Sequence, residues 1–205
     1  MILRDYKNED FKSLEKVIQK TWHYDELCSP KIARKLARVF LSSCLTNYTY
    51  SKVAVIDGNV VGIILANDKK THKCSLSKRM KQIFCLLSLY ASKEGRSVMK
   101  IFSSVNGIDK ILLNETNKEY TAELALFAID ENYRGHGLGK KLFSCAIDYF
   151  KKQSIDEFYL FTDTSCNYGF YEHQGMIRRC EKEKEFDIAN YNAKMNFFIY
   201  DYCIN

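Results

Sequence analysis

The segment Arg134-Gly135-His136-Gly137-Leu138-Gly139 lies between an apolar run at 124–129 and an amphipathic pattern at 138–150. Three glycines in this short stretch put backbone freedom where a strand must turn into a helix. The unpaired N–H groups of a helix start can then converge on one anion. A chain built around such a unit is an α/β chain, and the loop reads as a phosphate cradle. Two other phosphate motifs fail on spacing. No Lys-Ser/Thr pair follows the last glycine, as a P-loop requires. Gly135, Gly137 and Gly139 give GxGxG, which lacks the third glycine of a dinucleotide fingerprint, and no early βαβ unit surrounds it.

Periodicity along the rest of the chain predicts one domain over 1–205. Residues 2–4 read as a short strand. Asn8 reads as the cap of a helix carrying Phe11, Leu14, Val17 and Ile18, and Ser29-Pro30 as the start of another through Ile32, Leu36, Val39 and Phe40. Two β-branched runs, 52–56 and 60–65, flank Asp57-Gly58-Asn59, the chemistry of a tight hairpin. A helical insertion follows at about 67–118. Leu76, Met80, Ile83, Leu87 and Tyr90 recur at helical spacing, as do Val98, Ile101, Phe102, Val105, Ile108 and Leu112. Both stripes are expected to pack inward, with Gly95 between the two helices. Residues 120–129 read as a central strand and 157–162 as the next; 168–173 reads as a short helix, with strands near 176–185 and 193–200.

At 205 residues and 46% hydrophobic the chain can bury a substantial core. Its longest apolar run, 83–91 with Ser88 inside it, is too short to cross a bilayer, and no signal peptide is visible. Eight cysteines without a CxxC pair fit free thiols in a reducing cytoplasm. His72 and Cys74 form only a lone pair, so no metal is expected. The net charge of +6 is local: 69–110 holds ten Lys/Arg against two acidic residues. Few glycines or aromatics interleave with those charges, which argues against nucleic acid and for a solvated helix face.

Arg134, Gly137 and Gly139 fit the pattern Arg/Gln-x-x-Gly-x-Gly/Ala, and 124–129 looks like the strand that precedes it. Asn167 with Phe170-Tyr171-Glu172-His173-Gln174-Gly175-Met176 looks like an Asn followed by Phe-Tyr-x-x-x-Gly-Phe. On these residues the chain resembles the GCN5-related N-acetyltransferase (GNAT) family, well over 120–176 and mainly by element order before residue 50. The resemblance implies a GNAT-like α/β fold: a mixed, mostly antiparallel sheet splayed at strands 4 and 5, helices on both faces, and the insertion between strands 3 and 4. It implies acetyl-CoA as cosubstrate and no metal. The pyrophosphate would rest on Arg134, Gly135, His136, Gly137, Leu138, Gly139 and Lys140. The pantetheine arm would lie along Phe127, Ala128 and Ile129, with Asn167 bonding the arm or capping the helix. The His136 side chain would point outward, and Lys140 and Lys141 would meet phosphates or simply face solvent.

The implied acceptor is an amine on a small molecule or peptide, with no membrane partner; a homodimer stays open. An alkyl amine has a pKa of roughly 10, so attack requires a base. The resemblance places Glu123 there, directly or through water, and Tyr171 as the acid for the CoA thiolate, with Tyr168 a weaker competitor. A solvent-facing glutamate and a core aromatic would occupy the same positions. Direct transfer is favoured over an acyl intermediate on Cys166. Asp25 and Glu26, after Trp22, are candidates to attract a cationic acceptor. The alternative to an enzyme is an acyl-CoA-binding or regulatory module without turnover.

Overall fold

The computed structural model describes residues 1–188 and 191–204. Strand β1 (Ile2–Arg4) leads through a single 3-10 turn into α1 (Phe11–Thr21), followed by α2 (Tyr24–Leu27) and α3 (Pro30–Cys44). The hairpin β2 (Tyr50–Ile56) and β3 (Asn59–Asp68) precedes α4 (Leu76–Tyr90) and α5 (Lys93–Glu115). Then come β4 (Ala122–Ile129), α6 (Leu138–Lys152), β5 (Glu157–Asp163), α7 (Gly169–His173), β6 (Ile177–Ile188) and β7 (Tyr191–Cys203). The seven strands form one sheet in the order β1-β2-β3-β4-β5-β7-β6. Every pairing is antiparallel except β4 with β5. This is the mixed sheet expected, with the insertion between β3 and β4. Among the described residues no helix is long and apolar enough to cross a membrane.

Local chemistry accounts for most boundaries. Asp57 and Gly58 both take positive φ, 50° and 78°, as a two-residue hairpin loop requires. Pro30 opens α3, where its missing N–H costs nothing. Asn8 is not the cap expected of it: it lies inside the 3-10 turn. Asp10 holds the capping position of α1, but its buried carboxylate turns back to accept from the Lys7 N–H at 2.8 Å and from both terminal Arg4 nitrogens at 2.7 Å. Those bonds tie β1 to the start of α1.

Helices cover both faces of the sheet. On the front, α1 and α3 bury Leu14, Ile18, Leu36 and Leu41 against Ile63, Leu65, Leu126 and Ala128. On the back, Leu142, Phe143, Ala146 and Phe150 of α6 pack on Ile64, Phe158, Leu160 and Tyr200. Helix α5 extends the front layer, seating Ile108 and Leu112 on Tyr159, Phe197 and Ile199. The insertion thus roofs the front of β5 and β7.

Helix α4 overturns its expected orientation. Cys85 and Leu89 face inward, whereas Leu76, Met80, Ile83, Phe84, Leu87 and Tyr90 are exposed. The inner face also takes Lys78, whose Nζ meets the Tyr48 hydroxyl at 2.8 Å, and Lys81 lies over the Phe11 ring at 3.5 Å. Aromatic faces and a phenol can satisfy lysine on that side. The sequence carries two apolar stripes on this helix, and the smaller one, through Cys85 and Leu89, is the one buried. Gly95 does not separate the helices either. The break falls at Ala91-Ser92, and the Ser92 hydroxyl accepts the Gly95 N–H at 3.0 Å inside the first turn of α5. A Cβ on Gly95 would stand 2.0 Å from the Leu89 carbonyl oxygen, so the close approach of the two helices needs glycine there.

Two irregularities in β4 shape the centre of the sheet. Leu65 pairs with Leu126 but Ala66 pairs with Leu124, so β4 holds one extra residue at Ala125. Such a bulge bends the strand and re-aims its peptide groups. Across the other edge, β4 and β5 are matched at a single position, Glu123 with Tyr159. Beyond it the two parallel strands diverge, and among the described residues the β5-facing edge of Phe127, Ala128 and Ile129 has no strand partner.

Candidate active site

The point where the sheet parts is also where its polar residues gather. Asn67 pairs with Glu123, Glu123 with Tyr159, and Tyr159 with Asp201. Directly paired residues project from the same face, so these four make a polar row across β3, β4, β5 and β7 on the front. Glu123 is half-buried and accepts the Asn47 side-chain N–H at 3.1 Å. Asn47 is held in turn by Asn67, whose Nδ2 donates to its Oδ1 at 2.7 Å. Burial pushes the Glu123 carboxyl above the usual range, and Asn47, Lys69 and the Tyr159 hydroxyl offset only part of that. A half-buried carboxylate of raised proton affinity, fixed through two amides, is what proton abstraction from an ammonium needs.

Two further carboxylates lie close enough to this row for their charges to be felt. Asp109, on α5, is pushed up to about 7 by burial and by the fields of Glu123 and Asp163. Asp163, ending β5, is raised by burial although Ser165 donates its N–H to Oδ1 at 2.7 Å and its hydroxyl at 2.5 Å. The ammonium of Lys69 sits 4.5 Å above the Tyr159 ring; burial lowers its pKa and Glu123 opposes that shift. Asp25 and Glu26 do not join this group of carboxylates. Both are exposed, Asp25 tied to Gln19 at 2.8 Å and Glu26 beside His23 at 3.5 Å. Trp22 meanwhile packs on Phe40, with ring centroids 4.9 Å apart.

Tyr171 leaves α7 beside Phe127, Phe170 and Tyr200, at centroid distances of 6.4, 5.6 and 6.1 Å. Burial raises its phenol well above the ordinary value, and Cys166 and Asp163 add to that. It therefore keeps its proton through the neutral range. The Cys166 thiol is likewise pushed up to about 11, first by burial and then by Asp163, so it is a poor nucleophile. Asn167 is exposed, and its carbonyl accepts the Phe170 N–H at 3.2 Å at the start of α7.

The glycine loop is open. Gly135 and Gly137 have φ of 83° and 72°, and a Cβ on either would meet nothing within 4 Å. Among the described residues the N–H groups of 135–140 donate to no backbone carbonyl outside the helix ladder, and Lys141 makes the first bond, to Gly137, at 3.1 Å. The Arg134 side chain folds back on the Ile129 carbonyl at 3.4 Å, while the exposed His136 ring meets the Arg134 carbonyl at 2.9 Å. Lys140 and Lys141 face solvent. Asp109, Asp163, Asn47, Asn67 and Tyr159 were not singled out by sequence reasoning. The available signal was a polar residue interrupting an apolar element: Asn67 after 60–66, and Asp109 beside Ile108.

Comparison with known proteins identifies the fold and the family. The model of the acetyltransferase (GNAT) family matches residues 14–176, most of the chain. A 57-residue stretch is 39% identical to N-alpha-acetyltransferase 30 of Saccharomyces cerevisiae, covering 27% of this chain and 32% of that protein. The match thus spans about a third of that relative's length. The whole chain superposes on ribosomal-protein-alanine N-acetyltransferase from Brucella melitensis with TM-score 0.56 and 11% identity, covering 99% of each. An N-acetyltransferase from Staphylococcus aureus Mu50 gives TM-score 0.55 at 12% identity, covering 100% of this chain and 98% of that one. These two likenesses establish the fold, and the family model establishes the lineage: the chain belongs to the acetyltransferase (GNAT) family.

Proposed function

We propose that this protein transfers the acetyl group of acetyl-CoA directly to a primary amine, with Glu123 as base and Tyr171 as acid. The observation that carries this reading is the single paired position between β4 and β5, which sets Glu123 where the strands part. The unpaired edge at Phe127, Ala128 and Ile129 suits a pantetheine arm that bonds like a strand. The free N–H groups of 135–140 and the start of α6 suit the pyrophosphate. Glu123 takes one proton from the ammonium, directly or through water. The freed nitrogen attacks the thioester carbon, a β4 N–H near Phe127 steadies the oxyanion, and the C–S bond breaks as the tetrahedral species collapses. Tyr171 gives its proton to the departing thiolate, and the second proton lost by the acetylated nitrogen passes to solvent, from which the phenol is restored.

The high proton affinity of Cys166 supports one-step transfer over an acyl-enzyme. The test is release of CoA thiol in step with N-acetylated product. Tyr171→Phe should lower kcat by about a hundredfold with little change in KM, since the phenol acts on the leaving group. An unchanged kcat in the folded variant removes Tyr171 from the reaction, and thiol release without acetylated amine removes the transferase reading itself.

A further inference from the structure

We infer that the outer face of α4 docks this protein on an anionic phospholipid bilayer, its apolar stripe entering the headgroup boundary and the cations beside it meeting lipid phosphates and carboxylates. The inference stands apart from the acetyl-transfer reading, because none of its residues belongs to the site described above. It replaces the expectation, drawn from resemblance, of no membrane partner.

The stripe is built at helical spacing and is fixed outward. Leu76, Met80, Ile83, Phe84, Leu87 and Tyr90 recur every three or four residues along α4, a ridge about 21 Å long. Leu76, Phe84 and Leu87 are 77, 64 and 60% exposed. With the other three they make an apolar patch on the order of 600 Å², at the upper end of what a monomer carries. The helix cannot roll to hide it. Its opposite face is held by Lys78 on the Tyr48 hydroxyl at 2.8 Å, by Gln82 Nε2 on Ser43 Oγ at 3.0 Å, and by the buried Cys85 and Leu89. Lys35 of α3 donates to the Ser88 carbonyl at 2.6 Å and pins the far end.

Charge names the occupant. Between Asp68 and Glu94 the chain carries seven Lys/Arg and no Asp or Glu. Lys73, Arg79, Lys93 and Arg96 are exposed, and among the described residues none of the four forms a salt bridge. Glu94, the first carboxylate after the stripe, is turned to Ser29, which donates its N–H at 2.6 Å and its hydroxyl at 2.8 Å.

A convex apolar ridge with cations on long stems beside it fits a bilayer, which needs no matching groove and lets those stems reach the headgroups. Anionic lipid supplies the missing counter-charge. A second copy of the chain fits worse. It would bring two sets of unpaired cations together, and the patch falls short of the roughly 800 Å² that a stable dimer takes from each partner. Nucleic acid would answer the charge but leave the apolar ridge unused.

The test is flotation of the full chain with vesicles of phosphatidylcholine, alone or mixed with phosphatidylserine, at low and high salt, beside sedimentation velocity without lipid. The parent should bind the phosphatidylserine vesicles about tenfold more tightly than phosphatidylcholine alone, and high salt should remove most of that difference. Phe84→Ser with Leu87→Ser should weaken binding about tenfold, and so should Arg79→Glu with Lys93→Glu. Both variants should keep the parent's melting temperature and CoA affinity, since all four side chains are exposed. Equal binding to both vesicle types, or binding untouched by either pair of substitutions, overturns the inference. A lipid-free dimer that Phe84→Ser with Leu87→Ser dissolves, without vesicle binding, makes a second copy the occupant instead. A monomer that ignores both vesicles gives the face to a different protein and overturns the inference as well.

Discussion

Glu123→Gln is expected to lower kcat/KM for the acceptor by about 10²–10⁴, the usual worth of a positioned base, while the Kd for CoA stays within about twofold. The substituted amide still accepts from Asn47 and keeps the volume of the side chain, so the loss belongs to proton transfer. The pH dependence carries the same signature. Burial raises the Glu123 carboxyl, so the acid limb of kcat/KM in the parent should sit above the usual carboxylate range and vanish in the variant. Stability should move the other way. A carboxyl whose folded-state pKa is raised loses its proton more readily when unfolded, so it withdraws stability as pH climbs from its unfolded pKa to its folded one. At neutral pH the glutamine variant should melt no lower than the parent. A matching loss of activity and melting temperature would instead make Glu123 structural.

Asp201→Ala is expected to have the largest effect on stability. Asp201 is 0% exposed, and its Oδ2 accepts from Lys118 at 2.8 Å, Arg179 at 2.8 Å and the Tyr120 hydroxyl at 3.0 Å. Lys118 also pairs with Glu157. Breaking a buried charge network from one side costs about 3–5 kcal/mol. Lys118 and Arg179 are each about a third exposed and regain water, which puts the expected loss near the lower limit, about 3 kcal/mol. Burial alone would push this carboxyl up, but Arg179, Lys118 and Tyr120 hold it below the ordinary value. Its contribution is therefore present above the unfolded pKa and lost as pH falls through the lower folded one. Denaturant midpoints at neutral and acid pH check this: the gap between parent and variant should narrow toward acid. A gap that holds constant would exclude the network.

What could be read from sequence was what is encoded locally. The hairpin at Asp57-Gly58, the strand at 124–129, the glycine turn and the helix after it each follow from residues within one short window. The short helix at 168–173 was likewise legible in its own residues, whereas the splay came from resemblance to a family. Contacts between distant segments were not legible. Nothing near Asp109 announces that α5 lays it over β5, and nothing near Asn47 announces its bond to Glu123, 76 positions away. Helix α4 failed for a different reason. With two apolar stripes on one helix, tertiary packing chooses between them, and Lys78 and Lys81 found Tyr48 and Phe11 on the inner side. Asp25 and Glu26 had the right charge but lie on the solvent side of their turn, while the carboxylates that act on one another near Glu123 came from the insertion and the end of β5.

The central claim is that one continuous surface, from the free edge of β4 to the start of α6, takes the acetyl donor. It is tested most directly by following backbone amide resonances while CoA is titrated into the protein. The amides of Phe127 to Ile129 and of Gly135 to Lys140 should shift together in a saturable way, with those of the α4 outer face unmoved. Saturable binding that leaves both amide groups unperturbed, or no binding at all, would contradict it.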